Sequence, residues 1–312
     1  MVPSILKETL PQKSIFCGYL SQKDTPLHFC SGVSFLLVPL RCILWPYSLI
    51  CKEGTFMSSA AASPSAGLSG TALKRIACVS MLLDHIGASC LESGILAPAG
   101  IYGTWLSLPP AGLSAGLTAV YWADIVLRLA GRIAFPIYCF LLVEGFCHTH
   151  DVRRYAVRLA AFAFLSEIPF DAAFFGTAFT AQYQNVYFTL ALGLFCLILL
   201  RRFAGEGLPH ALLQLCAVLF CGSLAALLHT DYDFFGVAFI AMLYLLRAKP
   251  RLRTVLGCTA LVWEYTAPLA FIPIHAYNGT RGRCPKWEQY GFYAFYPVHL
   301  AVLALITNFL LR

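Results

Sequence analysis

The chain is 312 residues long, 59% hydrophobic and 12% charged, with a mean hydropathy of +0.72. A soluble domain carries about a quarter charged residues, so a soluble enzyme or binding module is excluded and an integral membrane protein is expected. The net charge of +7 then reports where loops lie and argues little for nucleic acid as a partner.

In chain order, residues 1–56 look unlike the rest. The tract Ser34–Ile50 is apolar but interrupted by Pro39, Arg41 and Pro46, whereas a clean span needs about 20 apolar residues. It lacks the charged start and small-residue cleavage site of a secretory signal. Met57 is followed by Ser-Ser-Ala-Ala-Ala-Ser-Pro-Ser-Ala-Gly-Leu-Ser-Gly, a flexible linker composition. The expectation is that Met57 is the true start, with 1–56 an over-extension of the reading frame. Residues 1–70 then form a poorly ordered extension and linker, and residues 71–312 a transmembrane domain.

The stretch Leu73–Glu92 is a hydrophobic helix candidate with Asp84 and His85 well inside it. Two ionisable side chains at membrane depth cost at least a few kcal/mol and persist only facing protein or a watery cavity. Lys74, Cys78, Met81 and His85 share one helical stripe, while Ala77, Asp84 and Ala88 share the next. Adjacent residues point about 100° apart, so Asp84 and His85 each need a partner from another helix. The plainer alternative is a satisfied buried pair that glues helices together.

A Gly/Pro/Ser-rich connection without Lys or Arg leads to Ala123; its part from Ala111 to Val120 is too short and Gly-rich to read as a span. Ile125–Phe146 follows, carrying Arg128, Arg132, Pro136 and Glu144. Pro136 cannot bond the carbonyl of Arg132 and should kink the helix there. Further apolar segments are Val152–Phe170, Val186–Phe203, His210–Leu228, Phe234–Leu246, Val255–Ile274 and Tyr290–Leu311. The fold class is therefore an all-α polytopic membrane protein, a bundle of about eight transmembrane helices with a polar interior.

Thirteen cysteines are scattered, many within apolar spans, without a Cys-x-x-Cys pair. Cys147-His148-Thr149-His150 is too compact for the usual ligand spacing, so no metal site and few or no disulfides are expected.

Loop charges orient the spans. Basic residues gather at Lys74/Arg75, Arg153/Arg154/Arg158, Arg201/Arg202 and Arg247/Lys249/Arg251/Arg253, while 92–124, 171–185 and 229–233 contain none. The positive-inside rule puts the start of the domain in the cytoplasm. Eight simple spans would then place Tyr277–Glu288, with Arg281, Arg283 and Lys286, outside. Either that loop is basic for a functional reason, or Val255–Ile274, with Glu264, Pro268 and Pro273, is re-entrant.

The remaining candidates are polar groups within or beside the spans. Arg128 and Arg132 are spaced to present two cations on one face. Glu144 and His148 are likewise four apart, and their bland reading is an interfacial pair. Ser166-Glu-Ile-Pro-Phe-Asp171 ends a helix with Glu167 and Asp171 around a proline. Gln184 and Asn185 open the next helix, whose N–H groups suit an anion. Asp231-Tyr-Asp233 reads as a cap, Asn278 lies among turn residues beside Arg281 and Arg283, and His299 follows Pro297. Each alone is more readily structural; together they are too many for a bundle with nothing inside.

In order, these motifs resemble the TraX family of bacterial membrane proteins, which acetylate the pilin N-terminus in conjugation systems. The matches run through Met81-Leu-Leu-Asp-His-Ile-Gly87, Gly131-Arg-Ile-Ala-Phe-Pro136, Leu142-Val-Glu-Gly-Phe146 and Ser166-Glu-Ile-Pro-Phe-Asp171. They continue through Gln184-Asn-Val186, Asp231-Tyr232, Tyr277-Asn-Gly279 and Phe292-Tyr-Ala-Phe-Tyr-Pro-Val-His-Leu300. That family is similar in turn to acyltransferase family 3, whose first helix carries a functional His.

The resemblance implies an acyltransferase of the bacterial cytoplasmic membrane, with acetyl-coenzyme A as donor and a pilin or fimbrial subunit as acceptor and partner. It makes His85 the leading catalytic candidate, with Asp84, Glu144 and His299 beside it. Arg128, Arg132, Arg281, Arg283 and Asn278 become candidates for the donor. Glu167, Asp171, Gln184, Asn185 and Asp231 become candidates for the acceptor. The rival classes are a small-solute or proton-coupled transporter, since intramembrane acids and His also build proton relays, and a non-enzymatic assembly protein.

Overall fold

The computed structural model describes residues 67–102 and 108–311. The tract Ser34–Ile50, Met57 and most of the linker lie outside the described residues. Within them the chain is helical, with two isolated bridge pairs and no strand.

Helix α1 (Gly70–His85) starts where the Ser69 side chain accepts from the Ala72 N–H at 3.2 Å. It continues beyond His85 as a π-helical segment, Ile86–Leu96. The Ser93 hydroxyl donates to the Ala88 carbonyl at 2.9 Å within it. The span thus runs past the expected Glu92, and its wider turns shift the register of every residue after His85. π-Helical turns are rare and concentrate at functional sites.

Helices α2 (Ala115–Gly131) and α3 (Ala134–His148) form one apolar stretch broken at Arg132 and Ile133. The break falls where Pro136 has no N–H to offer the Arg132 carbonyl. The stretch begins at Ala115, ten residues before the expected Ile125, because Ser114 caps it by accepting from the Leu117 N–H at 3.3 Å.

Next come α4 (Val152–Phe174), α5 (Val186–Arg202), α6 (Leu208–Leu227) and α7 (Asp233–Leu245), close to their expected bounds. Asp151 and Asn185 cap α4 and α5 through their side chains.

The segment expected at Val255–Ile274 is a broken hairpin. Helix α8 (Pro250–Ala260) leads into 3₁₀ turns at Val262–Glu264 and Ala267–Ala270 and then the short α9 (Phe271–His275). Tyr265 turns the chain with a φ of 51°. Thr254 Oγ1 and His275 Nδ1 lie 3.2 Å apart, so the hairpin's two ends return to the same side. Helix α10 (Lys286–Ile306) closes the fold and runs into a π turn at Thr307–Leu311.

This hairpin settles the position of the basic loop. Leu68 N–H donates to the Ala276 carbonyl at 2.6 Å, and Asn278 N–H donates to the Leu68 carbonyl at 2.9 Å. Arg75 grips Glu288 through two bonds of 2.6 and 2.9 Å. Loop 277–288 therefore lies on the same face as the start of α1. The Arg201 and Arg253 guanidiniums stack over Phe146 and Phe140 near the end of α3, which puts them on that face too. Arg75, Arg201 and Arg253 thus share one face with the loop, and Arg281 and Arg283 are no exception to it.

Among the described residues, four stretches are long and apolar enough to cross a bilayer: Gly70–Leu96, Ala115–His148, Leu208–Leu227 and Lys286–Phe309; α7 is a shorter apolar helix. Exposed side chains include Val126, Phe164, Ile168 and Phe220, while Asp84, His85, Arg128 and Arg132 are buried. Apolar outside and polar inside is the pattern of a chain dissolved in lipid. The protein is an all-α multi-pass membrane protein.

Helix α1 lies against both α2 and α3, α10 against α4, and α5, α6 and α7 against one another. The tightest approach decides where the ionisable groups meet. A Cβ on Gly131 would stand 2.2 Å from the Asp84 Cβ and 2.7 Å from its Cα, so only glycine lets α1 and α2 close here, as small residues do between membrane helices. Gly131→Ala should cost about 1–3 kcal/mol by overpacking, read as a lower unfolding midpoint in detergent. Gly116, whose Cβ would meet nothing within 4 Å, is the control. Equal midpoints for the two alanine variants would contradict this packing.

Candidate functional site

Two polar constellations meet at the α1–π junction. Asp84 Oδ2 accepts from Arg128 Nη1 at 2.7 Å, and Asp84 Oδ1 lies 3.8 Å from Arg132 Nη2. Arg132 Nη1 reaches Glu264, at the hairpin tip, at 3.2 Å, and Arg128 Nε lies 3.8 Å from Glu92. Asp124, one turn before Arg128, lies beside the Arg128 side chain over Gly87, where a Cβ would sit 3.0 Å from Asp124 Oδ1 and 3.1 Å from Arg128 Cδ. Arg132 thus meets Asp84 and Glu264, not Glu144. Glu144 is twelve residues along, roughly 18 Å by helical rise.

The second constellation is a histidine chain. His299 Nδ1 lies 2.6 Å from the Phe295 carbonyl oxygen, to which it must donate. His299 Nε2 is then an acceptor, and His85 Nδ1–H donates to it across 2.6 Å. Neutral His85 therefore carries its lone pair on Nε2. Both rings are buried, with Phe174 and Tyr296 edge-on to His85 at centroid distances of 5.5 and 5.8 Å. Asp84 and His85 thus find partners on different helices, as their angular separation requires.

The other candidates fall into two places. Glu167 holds Asn185, which also donates to the Ala163 carbonyl at 2.8 Å. Asp171 accepts from the Thr180 N–H at 2.6 Å, and Tyr183 reaches Asp231 at 3.4 Å. Gln184 pairs through its main chain with His229 and Asp231. These groups all lie around the chain segments that enter α5 and α7. On the basic face, Glu144 lies 3.9 Å from His148. Burial and the Glu144 carboxylate push the Tyr277 hydroxyl up to about 12. Asn278 shapes its own turn by accepting from the N–H and hydroxyl of Thr280 at 3.0 and 2.7 Å. Arg283 is exposed, whereas Arg281 lines a cavity of about 270 Å³ together with Lys74, Cys78, Tyr138, Arg158 and Tyr187.

Sequence reasoning missed Glu92, Asp124 and Glu264 as members of the charge cluster. Asp124 stands four residues before Arg128, a legible signal; Glu92 arrives through the π register and Glu264 through the hairpin, which leave none. It also missed Tyr296, although that residue sits one turn before His299.

The family described as TraX protein matches residues 69–307. The chain belongs to the TraX family. That TraX match begins at the cap of α1 and ends at Thr307, so it encloses the histidine pair, the charge cluster and the cavity. Among curated proteins, a probable fimbrial assembly protein, FimC of serogroup H1 from Dichelobacter nodosus, is 29% identical over 266 residues. The alignment covers 76% of this TraX-family chain and 95% of that protein. No solved structure matches the chain.

Proposed function

We propose that this protein is an acyltransferase of the bacterial cytoplasmic membrane that acetylates the N-terminal amine of a pilin or fimbrial subunit, with acetyl-coenzyme A as donor. The observation that carries this reading is the buried chain from His85 through His299 to the Phe295 carbonyl. An amine attacks a thioester only through its lone pair, so a base must take its proton, and a neutral histidine with its lone pair on Nε2 suits that task. His85 Nε2 takes the proton as the C–N bond forms, and returns it to the sulfur as the C–S bond breaks. His299 fixes the tautomer and orientation of His85. Arg128 and Arg132, gathered on Asp84 beside His85 in the chain, supply the positive field that favours an oxyanion. The name of the Dichelobacter relative supports a fimbrial acceptor.

The test is transfer of isotope-labelled acetyl from acetyl-coenzyme A to a synthetic pilin-like N-terminal peptide by the purified protein. Label on the terminal amine is the expected result. The second reading, a proton-coupled transporter, draws on a cluster where carboxylates outnumber the two guanidiniums. It predicts an unlabelled peptide and pH-driven solute uptake in proteoliposomes.

The basic face is cytoplasmic in this reading, where the donor is made. Cysteine-accessibility labelling should find 201–209, 247–253 and 279–286 cytoplasmic, and 97–102 and 175–183 external. The reverse pattern would overturn the orientation.

A further inference from the structure

The basic-face cavity is separate from the histidine pair, and the proton-transfer step does not use it. Its cations come from three elements: Lys74 from α1, Arg158 from α4 and Arg281 from the loop before α10. Among the described residues none of the three forms an ion pair; the nearby Glu288 is held by Arg75. Lys74 and Arg158 instead rest over the rings of Phe292 and Tyr293, 5.8 and 5.5 Å from the centroids. Converging cations without carboxylates are an arrangement for phosphate oxygens.

The cavity narrows inward. Arg158 and Arg281 are exposed, whereas Cys78, Leu142 and Leu159 are buried. At its floor Cys78 Sγ meets the Tyr138 hydroxyl at 3.1 Å. The Tyr187 ring beside them stands edge-on to Tyr296 at 4.9 Å, and Tyr296 in turn contacts His85 at 5.8 Å. Lys74, Cys78 and His85 lie on one stripe of α1, and the rise from Lys74 to His85 is roughly 16 Å. A volume of about 270 Å³ is below the usual range for a drug-sized ligand. It suits a slender arm, with a bulkier head left at the surface.

We propose that this cavity is the donor's entrance: Lys74, Arg158 and Arg281 hold the phosphates of a nucleotide-linked thioester, and its arm passes Cys78 and Tyr138 toward His85. The assignment rests on the acyltransferase reading for the identity of the donor, and on the cavity alone for the phosphate chemistry. An anionic phospholipid headgroup offers the same chemistry from the bilayer.

The experiment is calorimetric titration of the full-length, detergent-purified protein with coenzyme A, alongside acetyl-transfer kinetics. Arg158→Gln and Arg281→Gln change exposed residues and should leave folding intact. Each should weaken coenzyme A binding by about tenfold or more and raise the donor KM with kcat largely kept. Arg153→Gln, an exposed cation of the same face outside the cavity, should change neither. Binding in the cavity variants equal to that of Arg153→Gln overturns the proposal. Unchanged donor KM with active transfer also overturns it while leaving the acyltransferase reading intact. Cavity-dependent binding by a wild-type protein that transfers no acetyl group sustains the phosphate site and sinks the acyltransferase reading instead. Cavity-dependent binding of phosphatidylglycerol nanodiscs that coenzyme A fails to displace identifies a lipid site and overturns the donor assignment.

Discussion

His85→Gln should lower acetyl transfer per folded molecule by roughly 10²–10⁴-fold, the usual cost of removing a general base, while expression and insertion hardly change. Glutamine keeps most of the size and hydrogen-bonding capacity but loses the titrating nitrogen. In the proposed mechanism His299 acts through His85, so His299→Gln should cost less: it still offers His85 Nδ1–H an acceptor but no longer fixes the ring through Phe295. His148, exposed on the basic face, is the control and should behave as wild type when replaced by glutamine. The measurement is rate against pH over about 5.5–8.5 with purified protein, a window that brackets an unperturbed imidazole. More than about a tenth of the wild-type rate in His85→Gln would remove it as the base. A merely structural His85 predicts the opposite order, with folding lost first and activity per folded molecule kept.

Arg132→Leu should sharply reduce the amount of inserted protein, because it takes a cation away from two buried carboxylates. Glu264 at 3.2 Å and Asp84 at 3.8 Å are its partners, and breaking a buried pair from one side typically costs about 3–5 kcal/mol. Asp84 keeps Arg128 at 2.7 Å, so Glu264 is the residue left most exposed to the loss. Adding Glu264→Gln to Arg132→Leu should therefore recover part of the inserted protein, and adding Glu144→Gln should recover none. Quantifying folded protein in membranes across this set gives the coupling directly. Additive losses for Arg132→Leu and Glu264→Gln would show that the two side chains do not support each other.

Much of the architecture was legible because a bilayer writes itself into sequence so strongly. Apolar runs marked α4 to α7 and α10, and Pro136 marked the break before α3. The centre was legible only in part. Asp84 and His85 announced themselves as ionisable groups in an apolar helix, but nothing local names Arg128 or His299 as their partners. Those pairings depend on how three helices pack, and on Gly131 letting two of them touch. The π segment was illegible for a related reason: its small residues, Gly87, Ser89, Ser93 and Gly94, fit an ordinary helix equally well. The loop at 277–288 left two readings open because loop charges alone do not tell whether an apolar run crosses or turns back. The run at Val255–Ile274 turns back at Tyr265, and Arg281 then joins the basic face where charge statistics would put it.

The central claim is that a membrane-embedded histidine pair moves an acetyl group onto a fimbrial amine. Intact-mass spectrometry of surface pilins tests it most directly. It should be run on cells with the gene, without it, and complemented with either wild type or His85→Gln. The account predicts an N-terminal mass increase of one acetyl group that disappears on deletion and returns with wild type but not with His85→Gln. Pilin N-termini of identical mass in all four strains would contradict it.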